Sequence, residues 1–176
     1  NSIPNEFFIE KIWSQREIPK VLFLGRVSPI KNVECLINAV GQLENVKVTI
    51  AGPYEDEYYK KLRELIVSYG ASHRIKFVGP VFKKEDKINL FNEHDVFVLP
   101  SFREAMPQAL IEAMAASLIV ISSKTEGGKE LIKNGEIGYL FEINNHNELS
   151  SLLKNYKNDD HVGKKAKDFA KQFMED

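Results

Sequence analysis

Glu104 and Glu112 stand eight residues apart in Ser101-Phe-Arg-Glu-Ala-Met-Pro-Gln-Ala-Leu-Ile-Glu-Ala-Met-Ala115. Ionised carboxylates are charge-assisted acceptors, so two of them at a fixed separation can hold the hydroxyl groups of a ligand. The segment reads as a strand end, a short loop and a helix opening. Val96-Phe-Val-Leu99 is apolar without a break and Pro100-Ser101 ends it. Pro107 suits a first helical position, where its missing N–H costs nothing. Met106, Ala109, Leu110, Ala113 and Met114 then recur at helical spacing and predict a buried stripe. Gln108 and Glu112 fall one turn apart on another face, and Glu104 lies in the loop before the helix. Eight helical residues span roughly 12 Å, and the helix N-terminus between the two acids suits a phosphate. A structural reading also fits. Acids near a helix start are favoured by the macrodipole, and Glu112 could be a solvated mid-helix glutamate.

A second group with chemical content is Gly25-Arg-Val-Ser-Pro-Ile-Lys-Asn32. It follows the first apolar run and opens a helix. It is not a P-loop, and the chain contains no Gly-x-Gly-x-x-Gly. Arg26 and Lys31 nevertheless put two cations after one strand; a guanidinium forks onto phosphate oxygens and an ammonium adds a point charge. The alternative is a pair of surface cations on a loop. The four histidines, His73, His94, His146 and His161, show no metal-ligand spacing with each other or with Cys35. His94 reads as a helix end. No Gly-x-Ser-x-Gly points to a hydrolytic serine. Among Tyr54, Tyr58 and Tyr59, the spacing assigns Tyr59 to a buried stripe and the others to the surface.

The elements that must position these groups follow from apolar runs at Val21–Leu24, Val46–Ala51, Ile75–Val78, Val96–Leu99, Leu118–Ile121 and Tyr139–Phe141, alternating with helical patterns. That alternation predicts an α/β fold with a doubly wound, Rossmann-like parallel sheet of about six strands. Val33, Leu36, Ile37 and Val40 mark one helix; Leu62, Leu65, Ile66 and Tyr69 mark another, stopped by Gly70. A weaker one spans 84–92, and helices from about Asn145 and Val162 close the chain. The strand exits Gly25-Arg26, Gly52-Pro53, Gly79-Pro80, Pro100-Ser101 and Ser122-Ser123 fall at the carboxyl edge, where open α/β sheets bind ligands. Gly52-Pro53 is read as a plain turn.

Together these motifs resemble the retaining glycosyltransferases of the glycogen-synthase-like and mannosyltransferase-like family (glycosyl transferases group 1), on the two-domain GT-B fold. The family pattern Ser-x-x-Glu-Gly-Phe/Leu-Pro-x-x-x-x-Glu-Ala-x-Ala-x-Gly-x-Pro-Val-Ile falls on the segment from Ser101. The resemblance implies that Glu112 binds ribose hydroxyls and Glu104 faces the donor sugar. It puts Arg26 and Lys31 of the Gly-Arg-x-x-x-x-Lys-Gly pattern, with Gly25, on the donor diphosphate. It also assigns backbone groups of Gly79 and Val81 to the nucleotide base, and amides of the 105–108 loop (Ala105, Met106, Pro107, Gln108) to phosphate and sugar. Glu126-Gly127-Gly128-Lys129-Glu130 resembles the family's Gly-Gly-x-x-Glu loop, one residue short. Asn32, Ala105 and Ser117 stand where the family has glycine, and Ile119 where it has proline.

The implied protein is the C-terminal half of a GT-B enzyme, moving a hexose from a nucleotide-diphosphate sugar to a glycan or lipid-linked acceptor. It would use no cofactor and no protein-bound metal. Residues 1–176 would form one nucleotide-sugar-binding domain, with 1–15 as interdomain linker and the N-terminal acceptor domain absent; the first residue is Asn, not Met. The fragment alone would be inactive. The alternative function is a non-catalytic nucleotide-binding module or subunit; no motif supports a pyridoxal-phosphate phosphorylase relative. Length (176 residues), 43% hydrophobic and 28% charged residues fit one ordinary domain. A net charge of −1 gives no electrostatic case for nucleic acid. One cysteine fits a reducing compartment, and the implied location is cytoplasmic, with any membrane association arising from the absent domain or a lipid-linked acceptor.

Overall fold

The computed structural model describes residues 2–11, 18–155 and 160–175. Of the expected linker, residues 1 and 12–15 lie outside the described residues. Six strands form one sheet: β1 (Lys20–Leu24), β2 (Lys47–Ala51), β3 (Ile75–Gly79), β4 (Val96–Leu99), β5 (Ile119–Ser123) and β6 (Tyr139–Phe141). Every pairing is parallel and the order is β3-β2-β1-β4-β5-β6. The chain works outward from β1 to β3, then returns to the other side of β1 with β4. The gap between the β1 and β4 exits is therefore the topological switch point of the sheet, where two successive connections leave in opposite directions.

Helices fill both faces: α1 (Val33–Val40), α2 (Asp56–Ser68), α3 (Lys84–Glu93), α4 (Gln108–Ala115), α5 (Glu126–Leu131), α6 (His146–Lys154) and α7 (Asp160–Ala170). β4 and β5 are buried at every position, as befits central parallel strands covered by helices on both sides. The edge strand β3 is buried only at Ile75. α2 begins with Asp56 and Glu57 in its first turn, where they complement the dipole, and stops before Gly70 at φ 64°. Asn145 caps α6 by accepting from the Glu148 N–H at 3.1 Å.

Three local expectations are corrected. Helix α4 starts at Gln108, so Pro107 is the residue before it: its ψ of 97° is extended, not helical. Met106 consequently leaves the apolar stripe and is 39% exposed in the loop. On α2, Tyr58 and not Tyr59 is the core residue. Its ring is buried and its hydroxyl accepts from the Glu34 N–H at 3.2 Å, while the half-buried Tyr59 stacks on Tyr54 at 4.2 Å.

The opening segment is tied to the far end of the chain and to α3. Ile3 exchanges backbone hydrogen bonds with Phe173 (2.6 Å) and Glu175 (3.0 Å). Phe7 is buried edge-on against Phe91 of α3 at 6.1 Å, and Glu6 pairs with Lys84 at 2.7 Å.

Candidate functional site

The loop after β1 and the loop after β4 meet over the switch point. The Phe102 N–H donates to the Ile30 carbonyl at 2.9 Å. Beside that bond the Lys31 ammonium contacts Glu104 Oε1 at 2.5 Å, and Ser101 Oγ donates to the same oxygen at 2.7 Å. The Glu104 side chain is 10% exposed and that of Lys31 27%. Lys31 has three donors, so it can hold Glu104 and still face an anion. Arg26 is exposed and has no hydrogen-bond or ion-pair partner among the described residues. Ser28 Oγ in the same loop is buried and unpartnered.

Backbone packing fixes where these loops run. A Cβ on Gly52 would lie 1.8 Å from the Gly25 carbonyl oxygen, and Gly52 has φ 139°. Glycine is therefore required at a position the sequence offers as a plain turn; it lets the β2 exit press against the β1 exit. Asn32, where the resembled family has glycine, sits at φ 50°, and Ser117, likewise a replacement for glycine, at φ 62°. Asparagine tolerates the left-handed region, and Asn32 is further held by donating through Nδ2 to Asn144 Oδ1 at 3.1 Å. Ala105 is not among the positive-φ residues, so its methyl group carries no backbone strain.

The Gly-Gly segment turns out to be helical, forming α5 behind the Thr125 cap. The Gly127 N–H donates to the Glu104 carbonyl at 2.9 Å, and a Cβ on Gly127 would fall 2.6 Å from the Ala105 oxygen and 2.7 Å from Pro107 Cδ. Gly127 thus lets the Glu104–Pro107 loop lie flat on α5. Gly79 ends β3 at φ 74°, with Val81 half-buried beyond it and Phe82 90% exposed.

Glu112 departs from its expected setting. The helical spacing puts it off the buried stripe, yet it is 5% exposed. Lys87 of α3 reaches both its oxygens, at 3.2 and 3.1 Å. Burial pushes the Glu112 carboxyl above the usual range, and the Lys87 ammonium pulls it back. The pairing brings together residues from different helices, and the weak apolar pattern of α3 carries no signal for it. Gln108, one turn earlier, donates to the Ser2 carbonyl at 3.1 Å. A cavity of about 560 Å³ borders the two loops at Pro29, Asn32 and Phe102, with Glu34, Glu55 and Glu57 in its lining against one lysine, Lys61, which pairs with Glu34 at 2.9 Å. Those acids make it a poor place for a diphosphate.

The sequence pattern of the family described as glycosyl transferases group 1 matches residues 5–174. The chain belongs to that family. An uncharacterized glycosyltransferase of Methanocaldococcus jannaschii is 32% identical over 86% of the chain, which covers 43% of that relative. A D-inositol 3-phosphate glycosyltransferase of Corynebacterium efficiens is 28% identical over 87% of the chain and 39% of its own length. The chain thus spans less than half the length of these curated relatives. Among solved structures, the C-terminal domain of a group 1 family protein from Francisella tularensis (LpcC) superposes with a TM-score of 0.82 over 97% of each chain at 19% identity. Anabaena HepE in complex with UDP and glucose gives a TM-score of 0.88 at 22% identity, over 99% of this chain and 52% of its own. These likenesses confirm the Rossmann-like fold of a GT-B C-terminal domain. Among the described residues no helix is long and apolar enough to cross a membrane, and no group of three or more His, Cys, Asp or Glu is placed to hold a metal ion.

Proposed function

We propose that this chain is the donor-binding, C-terminal domain of a retaining glycosyltransferase that transfers a hexose from a nucleotide-diphosphate sugar to a glycan or lipid-linked acceptor. Residues 1–176 would act as one nucleotide-sugar-binding domain, with 1–15 as its linker and the acceptor site on a domain N-terminal to it. Glu112 accepts from the ribose hydroxyls. Arg26 and Lys31 neutralise the diphosphate and stabilise it as it departs, which is catalysis by fixed charges. Glu104 orients the hexose, with amides of the 105–108 loop beside phosphate and sugar, and the backbone at Gly79 and Val81 meets the base.

The observation that carries this reading is the contact between Lys31 and Glu104 across the switch point. It joins the cation-bearing and acid-bearing loops at the place where open α/β sheets take nucleotides. Anabaena HepE was solved with UDP and with UDP-glucose, so UDP is the first donor base to try. Because the sequence offers two cations for the diphosphate and no Asp-x-Asp, binding is expected to survive a chelator.

The test is calorimetry with UDP, GDP and ADP, with and without chelator, on the wild type and on Glu112→Ala. Loss of a charge-assisted acceptor should weaken binding by roughly 1.5–3 kcal/mol. An unchanged affinity in a folded Glu112→Ala variant would refute the ribose role. Transfer needs acceptor and donor held in reactive geometry, so the chain alone should bind nucleotide yet transfer no sugar.

A further inference from the structure

Glu112 does not stand alone in its pocket. Lys87, on the first turn of α3, spreads one ammonium over both carboxylate oxygens at 3.2 and 3.1 Å. Contacts to both oxygens restrict rotation of the carboxylate, which a single contact would leave open. The lysine is itself held: its side chain is 29% exposed, and its ammonium lies 5.8 Å from the centroid of the Phe7 ring. Phe7 is buried against Phe91 of the same helix.

The charges around the pair are otherwise matched to other partners. Lys84, the first residue of α3, pairs with Glu6 at 2.7 Å. Lys167, on the α7 helix that packs against α4, donates to the Ile9 carbonyl and to Glu10. β5, also in contact with α4, presents Ile119 to Ser123 with no ionisable group. Lys87 is accordingly the one cation that contacts Glu112 among the described residues.

We propose that Lys87 is a positioning residue for ribose recognition, holding the Glu112 carboxylate ionised and turned to receive ribose hydroxyls. This rests on the donor-site reading of Glu112. A carboxylate has about four lone-pair sites. Lys87 occupies one on each oxygen and leaves one on each for a vicinal diol. Without the lysine, a carboxyl buried this deeply takes up a proton more readily. It then becomes a donor on one oxygen and loses the fixed orientation that two hydroxyls need.

The experiment is calorimetric titration of UDP, or whichever of UDP, GDP and ADP binds most tightly, from about pH 5 to 8. Lys87→Met should weaken binding roughly tenfold near neutral pH and move the acid limb of the affinity profile to higher pH. Lys87→Arg should restore most of the affinity. In a Glu112→Gln background, which cannot ionise, the acid limb should fall back to that of the nucleotide's own terminal phosphate and no longer move with Lys87, and adding Lys87→Met should change affinity by less than about twofold. Wild-type affinity and an unmoved acid limb in Lys87→Met would overturn the proposal. So would an equal loss in the Glu112→Gln background, which would mean that the lysine touches the nucleotide itself. Should Lys87→Met fail to fold, Lys87→Gln is read by the same criteria. Failure of the donor-site reading is visible separately, as unchanged affinity in Glu112→Ala whatever Lys87 does.

Discussion

The two ends of the sheet use their polar residues differently. At the carboxyl edge, charged groups from separate loops face each other: Lys31 meets Glu104 across the switch point, and Arg26 is left exposed. At the amino edge, the buried polar groups complete the backbone. Arg74 donates to the carbonyls of Val40 and Gly41 at 2.8 and 2.7 Å, closing the end of α1. His94, at the end of α3, bonds the Leu90 carbonyl at 2.6 Å through Nδ1 and Thr49 Oγ1 at 2.8 Å through Nε2. A cavity of about 280 Å³ opens there too, with Lys20, Lys47 and Lys76 in its lining. Cations and a cavity are thus present at both ends. What separates them is that the carboxyl edge joins cations and acids across loops pressed together by glycine, whereas the amino edge uses its buried cation to cap a helix. A basic cavity alone is a weaker sign of function than charges paired across a switch point.

That contrast can be broken by mutation. The largest effect is expected at Gly52, where alanine would place a methyl 1.8 Å from the Gly25 oxygen at φ 139°. Gly52→Ala should cost about 3 kcal/mol in urea unfolding and weaken nucleotide binding by displacing the β1 exit. A variant with wild-type stability and affinity would show that the close approach does not shape the site. At the amino edge, Arg74→Ala removes two charge-assisted bonds and should lower stability by about 2 kcal/mol, with nucleotide affinity of the folded fraction unchanged. Weakened binding there would erase the distinction between the edges.

A smaller effect concerns pH. Burial, more than any other cause, lowers the His94 pKa from its ordinary value near 6.5, so the fold favours neutral imidazole. A base with a depressed folded pKa takes up protons more readily when unfolded. Its contribution to stability is therefore complete above the unfolded value and is lost as pH falls through 6.5 toward the folded value. Thermal unfolding should show Tm declining across that window, and His94→Gln should flatten the decline. Glu112 acts in the opposite direction: burial raises its pKa, so the folded state takes up that proton more readily and gains relative stability as pH falls through the folded value.

The fold was legible because central parallel strands announce themselves. Val21–Leu24 and Val96–Leu99 are uninterrupted apolar runs, and both are buried throughout. The helix starts were less legible. Pro107 satisfies the rule for a first helical residue, but its extended ψ puts it one position earlier and carries Met106 out to solvent. Tyr58 and Tyr59 are adjacent, and which of them faces the core depends on the rotation of α2 about its axis, which aromatic content does not set. In the candidate site, Lys31 and Glu104 could be read because each follows a strand. The Lys87–Glu112 pair could not, since it joins two helices and depends on how α3 sits against α4. Gly127 was visible as half of a Gly-Gly pair, but its need for a bare Cα appears only when the Ala105 carbonyl is seen above it.

The most direct measurement of the central claim is an amide chemical-shift map of the chain titrated with UDP. The largest shifts are expected at Arg26–Asn32, Glu104–Gln108 and Gly79–Val81, with Lys20, Lys47 and His73 unmoved. Shifts concentrated at the amino-edge lysines, with the loops after β1 and β4 silent, would contradict it.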